Sequence, residues 1–195
     1  MPKVVDSAER RAELAAAAAQ LIARAGVGAA TLRDVAAEAG WTTGALTHYF
    51  ADKRELLLFT FRSSLAQRHA AREARDHTRP KEALLHSLEG ALPLDDDGRR
   101  HWMVTVAFCA QAAGDEELSR AQRDAYRDFR AGLAHLLQAG ADGRGDDRAA
   151  CLGRAERLIA VADGIAMQAL FDPESWPPAR QLSTLHTTVG PMLAR

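Results

Sequence analysis

Apolar residues recur along this chain every three or four positions and almost never alternate, so the pattern predicts helices throughout and no sheet. Leu14, Ala18, Leu21, Ile22 and Ala25 form the stripe of a first helix that starts near Ser7 and is closed by Gly26 and Gly28. Leu32, Val35, Ala36 and Ala39 hold helical spacing before Gly40, and Leu46, Tyr49 and Phe50 hold it afterwards. That predicts two short helices joined by a tight turn, the second running from Thr42 to Phe50. Thr31 is placed to cap the first of them and Thr42 or Thr43 the second. Gly40 supplies the backbone freedom of the turn, and Trp41 plugs its corner.

Asp52 caps a long helix predicted to reach Asp76, about 35 Å at 1.5 Å per residue. Leu56, Leu57, Thr60, Phe61 and Leu65 point one way, while Arg68, Arg72, Glu73 and Arg75 are expected to solvate its far end. Pro80 opens a further helix that Gly90 and Pro93 close, and the run PLDDDG caps the next. That next helix is apolar nearly all round from Trp102 to Ala113, which predicts a central, surrounded position. Asp115 caps a helix to about Gln138 whose expected buried side is Leu118, Ala121, Tyr126, Phe129, Leu133, Leu136 and Leu137. AGADGRGDD reads as an exposed loop, after which a second long helix spans about 148–171 and carries Leu152, Leu158, Ile159, Val161, Ile165, Met167 and Leu170. A last helix follows Pro177 and Pro178. The expected fold is all-α: a three-helix head over residues 1–52, joined by the long helix to a helical domain over 53–195.

A length of 195 residues suffices for a real core, and the 47% apolar content is rich in alanine, which favours helix. The formal net charge of −1 says little about partners, and residues 1–55 hold seven Lys/Arg against seven Asp/Glu. Any nucleic-acid contact there must therefore rest on placed groups more than on bulk attraction. Cys109 and Cys151 suggest neither a disulfide framework nor a zinc site, and buried reduced thiols are the expectation. There is no secretion signal and no long uncharged apolar run, so a cytoplasmic protein is expected, without a membrane partner. No H-E-x-x-H, G-x-S-x-G or phosphate-loop pattern occurs, and neither an enzyme, a cofactor nor a metal is expected.

Two short helices crossing steeply, the second polar on its outer side, make the helix-turn-helix that enters the DNA major groove. On the side opposite Leu46 lie Thr43, Gly44, Ala45 and His48. Gly44 and Ala45 let the backbone come close, Ala45 offers a methyl for thymine, and His48 a hydrogen bond to a base edge.

The same stretch, T-L-R-D-V-A-A-E-A-G, then T-x-G-A-L-T-H-Y-F-x-D-K and an apolar helix, resembles the amino-terminal domain of the TetR family of transcriptional repressors over roughly residues 8–60. The later segments A-G-D-E-E-L-S-R-A-Q-R and V-A-D-G-I-A-M-Q-A-L-F-D-P resemble its BetI-like subgroup. The resemblance implies that Thr42, Thr47, Tyr49 and Lys53 hold phosphates and that Arg33 reaches a guanine. It departs at His48, where many relatives carry a larger aromatic residue.

The helices at about 117–138 and 148–171 have apolar faces too broad for one small domain to cover, and pairing with a second copy as a four-helix bundle would bury them. Ala160, Gly164 and Met167 share one side and suit close approach, facing either a partner or the interior. Trp102, Phe108, Cys109, Tyr126, Phe129, Met167 and Phe171 are the candidates for an effector cavity, although each aromatic alone is more often ordinary core. Asp163 sits among apolar neighbours and needs a partner, either a cationic effector or an arginine or helix end. The expected function is a homodimeric repressor on a near-palindromic operator in double-stranded DNA, released by a small-molecule effector. The alternative is a helical interaction module or ligand-binding protein that does not bind DNA.

Overall fold

The computed structural model describes residues 7–73, 79–140 and 147–193, and every regular element among them is a helix. They are α1 (Ser7–Ala29), α2 (Leu32–Glu38), α3 (Thr43–Leu46), α4 (Lys53–Glu73), α5 (Pro80–Glu89), α6 (Asp96–Ala112), α7 (Glu116–Ala139), α8 (Arg148–Phe171) and α9 (Pro178–Leu193). Arg75 and most of the AGADGRGDD run lie outside the described residues, as does the side chain of Glu73. The chain divides into two compact units, Met1–Gln67 with Arg100–Ala121, and Arg68–Arg99 with Gln122–Arg195.

In the first unit α1 packs on α2 and α2 on α3. Leu14, Ala18, Leu21 and Ile22 turn inward with Val35, Ala36, Leu46 and Phe50 as predicted, whereas Ala25 is exposed. Leu56, Leu57 and Phe61 of α4 extend this core, and Phe61 lies flat on Phe108 of α6 with ring centroids 4.0 Å apart. α1 breaks at Gly26, whose φ of 78° no longer continues the helix.

The second unit is built on α8, which packs on α9, while α5 touches both. The inner side of α8 interleaves Ala155, Ala162, Ala166 and Ala169 with Leu158, Ile165 and Leu170, so neighbouring helices approach closely. Leu84 and Leu88 of α5 and Leu185 and Val189 of α9 complete the layer. Asp95 opens α6 by accepting the Gly98 amide at 2.6 Å. Gly98 is required there, because a Cβ would stand 2.9 Å from the Leu92 carbonyl oxygen.

Five expectations are corrected. The recognition helix is regular only over Thr43–Leu46: the Thr47 hydroxyl bonds back to the Gly44 carbonyl, and the His48 and Tyr49 amides reach Ala45 and Leu46, tightening the chain into a turn. The α6 helix is not surrounded, since Cys109, Ala110 and Gln111 are exposed; a face made largely of alanine has little to gain from burial. Cys109 is accordingly an exposed thiol, and only Cys151 is buried. Tyr126, expected on the buried side of its helix, is 38% exposed, and Met167, whose side suits either a partner or the interior, is 42% exposed. Finally, Arg68 and Arg72 do not solvate the end of α4, because Arg68 bonds the carbonyl end of α5 and Arg72 lies against Phe129 of α7.

Candidate nucleic-acid interface

The tip of the first unit is assembled from local sequence chemistry. Thr31 caps α2 by accepting the Asp34 amide at 3.2 Å, and Thr42 caps α3 by accepting that of Ala45 at 3.2 Å. Both satisfy amides that a helix start leaves open. Between them Gly40 turns with φ +72°, a conformation costly for any side chain, and the Trp41 amide reaches back to the Ala36 carbonyl at 2.7 Å. Trp41 meets Tyr49 edge to face at 5.5 Å, and the Arg10 guanidinium lies 5.0 Å over the Trp41 ring. The corner is thus held on both sides.

With Leu46 and Phe50 buried, Thr42, Thr43, Gly44, Thr47 and His48 are left exposed, as is Arg33 on α2. Ala45, Tyr49 and Lys53 are half-buried beside them. All nine proposed contact residues therefore fall in one unit, around one short helix and its flanks. A threonine hydroxyl, a histidine ring and an arginine fork are groups able to bond phosphate oxygens and base edges.

Behind the tip stands a clamp that sequence reading did not find. Arg11 of α1 donates to Glu55 of α4 at 2.8 Å, with its guanidinium 4.6 Å from the Phe50 ring and 4.7 Å from that of Phe59. Glu55 also accepts the Ala51 amide at 2.9 Å, while its own amide is capped by Asp52 at 2.7 Å. The backbone bond from Ala51, followed by that from Arg11, holds the Glu55 carboxyl below its ordinary range. Asp52 and Glu55 at this spacing are a helix-start signal visible in sequence, but Arg11 lies 44 positions away and carries none. A second clamp joins Arg54 to Asp115 at 3.0 Å and to Glu117 at 2.7 Å. Hydrogen bonding from Arg54, then from the Leu118 amide, keeps Asp115 well below the usual carboxylate range.

The eight effector candidates are divided between the two units. Trp102 and Phe108 are buried in the first unit, Phe108 against Phe61, and Cys109 of the same unit is exposed. In the second unit the Tyr126 hydroxyl donates to Asp163 at 2.7 Å, Phe129 backs Arg72, and Met167 and Phe171 are exposed, Phe171 by 71%. The partner of Asp163 is a phenol, neither an arginine nor a helix end. Burial raises the carboxyl of Asp163 above its ordinary range, against the smaller opposing effect of Tyr126. Among the described residues no cluster of His, Cys, Asp or Glu suits a metal, and no helix is long and apolar enough to cross a membrane.

A capped helix pair with an exposed polar tip, set on a helical scaffold, defines a helix-turn-helix transcriptional regulator. Residues 14–58 match the family described as bacterial regulatory proteins, tetR family, and residues 80–194 match the BetI-type transcriptional repressor, C-terminal. The chain belongs to the TetR family, with a BetI-type carboxy-terminal part. It is 33% identical over 178 residues to the HTH-type transcriptional regulator PksA of Bacillus subtilis, covering 89% of this chain and 84% of that one. With the regulator BetI of Vibrio vulnificus it shares 29% over 178 residues, covering 89% and 87%. The crystal structure of a transcriptional regulator from Rhodococcus sp. Rha1 superposes with a TM-score of 0.85 at 30% identity, over 94% of this chain and 96% of that one. A regulator from Saccharomonospora viridis, solved with choline, has the same fold at a TM-score of 0.83 and 22% identity, over 94% and 96% of the chains.

Proposed function

We propose that this protein is a homodimeric repressor that grips a near-palindromic operator and lets go when a small molecule binds its carboxy-terminal helices. Residues 1–52 serve as the reading head and 53–195 as the effector and dimerisation part. The exposed set Thr42, Thr43, Gly44, Thr47 and His48, held rigid by two threonine caps and Gly40, carries the reading. Thr42, Thr47, Tyr49 and Lys53 take phosphates and set register. Thr43, Gly44, Ala45, His48 and Arg33 read bases.

Dimerisation follows from what a single chain leaves uncovered. Tyr126 on α7 and Ala160, Gly164, Met167 and Phe171 on α8 are exposed, and nothing stands within 4 Å of a Cβ added at Gly164. We assign this side to the partner, in a four-helix bundle of α7 and α8 with their copies. A twofold pair presents two heads to half-sites about one helical turn apart. The effector acts only through a preference for the head spacing that does not fit DNA, since equal affinity for both spacings shifts nothing. The protein works in the cytoplasm and as a binding protein, not a catalyst.

The test is selection of bound fragments from genomic DNA, followed by sizing of the purified protein with and without the selected duplex. A dimer holding an inverted repeat is expected. A monomer that ignores every duplex at low salt would overturn the proposal and leave an interaction module.

A further inference from the structure

Arg68 and Arg72 stand four residues apart near the end of α4, and both are half-buried within the second unit. Arg68 donates through Nη2 to the Gly90 carbonyl and, at 3.4 Å, to that of Leu92. Arg72 donates through Nε to the Arg68 carbonyl at 3.2 Å and lies 4.8 Å from the centroid of the Phe129 ring. Its stem runs so close to position 90 that a Cβ there would meet Arg72 Cγ at 3.5 Å. Nη1 and Nη2 of Arg72, and Nε and Nη1 of Arg68, have no acceptor among the described residues. Asp95 and Asp97 act on Arg68 through space without bonding it.

This arrangement is unfavourable by itself. Like charges at this helical spacing repel, and among the described residues neither half-buried guanidinium is hydrogen-bonded to a carboxylate to offset its lost hydration. Burial lowers both guanidinium groups from their ordinary range, and Arg68 lowers Arg72 further. Closing the end of α5 needs one cation near its last carbonyls, which Arg68 provides. Arg72 is surplus to that task. Its guanidinium lies over the Phe129 ring with outer nitrogens that meet no acceptor among the described residues, an arrangement able to take an oxyanion bidentately.

We propose that Arg68 and Arg72 form an oxyanion subsite in the second unit, which takes a carboxylate or phosphate group of the effector. That the anion belongs to an effector rests on the repressor reading; the subsite itself is a claim about these two side chains. Phe129 then holds Arg72 in plane and offers an apolar wall to the rest of the ligand. Asp163 and Tyr126, already bonded to each other, are not needed for this contact.

Crystals of the full chain soaked in selenate locate any bound oxyanion by the anomalous signal of selenium. A peak within hydrogen-bond distance of the Arg72 outer nitrogens is expected. In parallel, melting is followed at fixed ionic strength in inorganic phosphate, benzoate and benzamide. A saturable rise with at least one anion and none with benzamide is expected, together with at least tenfold weaker binding of that anion in Arg72→Gln. Arg72→Lys, which keeps the charge and loses the fork, should fall between and guards against a variant that fails to fold. Benzoate without phosphate points to a carboxylate ligand, and the reverse to a phosphoester. Selenate absent from both guanidinium groups, or anion titrations identical in wild type and Arg72→Gln, would overturn the proposal. Operator binding of the wild type without added anion is measured separately; its failure sinks the repressor reading while a selenium peak would leave the subsite standing.

Discussion

Replacing Arg11 by alanine tests whether the head is held from behind. The Arg11–Glu55 pair is short at 2.8 Å, but the two side chains are 31% and 39% exposed. Water therefore screens it to about 0.2–1 kcal/mol. The two ring contacts, with Phe50 at 4.6 Å and Phe59 at 4.7 Å, add about 0.5–1 kcal/mol each. Arg11→Ala should thus destabilise the protein by about 1–3 kcal/mol, lowering its melting temperature by roughly 2–4 °C per kcal/mol for a chain of this size. Arg11→Lys keeps the charge and loses the planar stack, so it should recover less than half of the loss. Denaturant unfolding of Arg11→Ala, Glu55→Gln and the double variant isolates the pair term. Operator affinity should fall alongside, because Glu55 anchors the Ala51 amide directly after the reading segment. Unfolding of Arg11→Ala indistinguishable from wild type, or full recovery by lysine, would refute the argument from the rings.

Lys53→Ala should weaken binding to every duplex and reduce the slope of log K against log salt by about one contact's worth, roughly 0.9; an unchanged slope removes Lys53 from the phosphate set. His48→Ala should instead alter preference among operator variants, by about 1–3 kcal/mol at one position, read by competition between duplexes. Gly40→Ala meets no steric obstacle within 4 Å, so the strain of φ +72° alone should cost about 1–2 kcal/mol in thermal unfolding. Asp163 has a raised folded pKa, so its contribution is full below the unfolded value and is lost as pH rises through the folded one. The melting temperature of Asp163→Asn relative to wild type should therefore rise as pH is raised above the ordinary carboxylate range; a constant difference would mean that Asp163 does not titrate in the fold.

What the sequence revealed was whatever is decided within a few residues. Thr31, Gly40 and Thr42 act on amides and dihedrals of their own turn, so caps and corner were legible. Helical period located the core residues of α1, α2 and α4 for the same reason. The period also ran on past Leu46, where the Thr47 hydroxyl and the tightened amides of His48 and Tyr49 stop regular winding. Pairings such as Arg11 with Glu55, Tyr126 with Asp163 and Arg72 with Phe129 depend on which helices meet, and no spacing announces them. Arginines at a helix end read as solvated until a neighbouring helix is known to close over them.

The evenly balanced charge of the head, seven basic and seven acidic residues over positions 1–55, does not weigh against DNA binding once the acids are located. Glu38 is held by Arg24 at 2.7 Å, Glu55 by Arg11 and the Ala51 amide, and Glu13 by Arg10 at 3.2 Å. Asp34 takes the Thr31 hydroxyl, and Asp52 caps the Glu55 amide. Each of these five carboxylates is thus tied to a cation, a hydroxyl or a helix start, and none of the seven acidic residues occurs between Gly40 and Ala51. The surface offered by Arg33, Thr43, Thr47 and His48 is consequently free of acidic side chains of its own, although the head as a whole is neutral. Long-range attraction should then be weak and contact formation strong. Association with the operator is expected to be slow compared with that of strongly basic heads, while the salt dependence of the equilibrium still counts the phosphates touched, at about 0.9 per contact. A stopped-flow association rate near the steered limit at low salt, falling steeply as salt is added, would show instead that a positive field reaches beyond the tip.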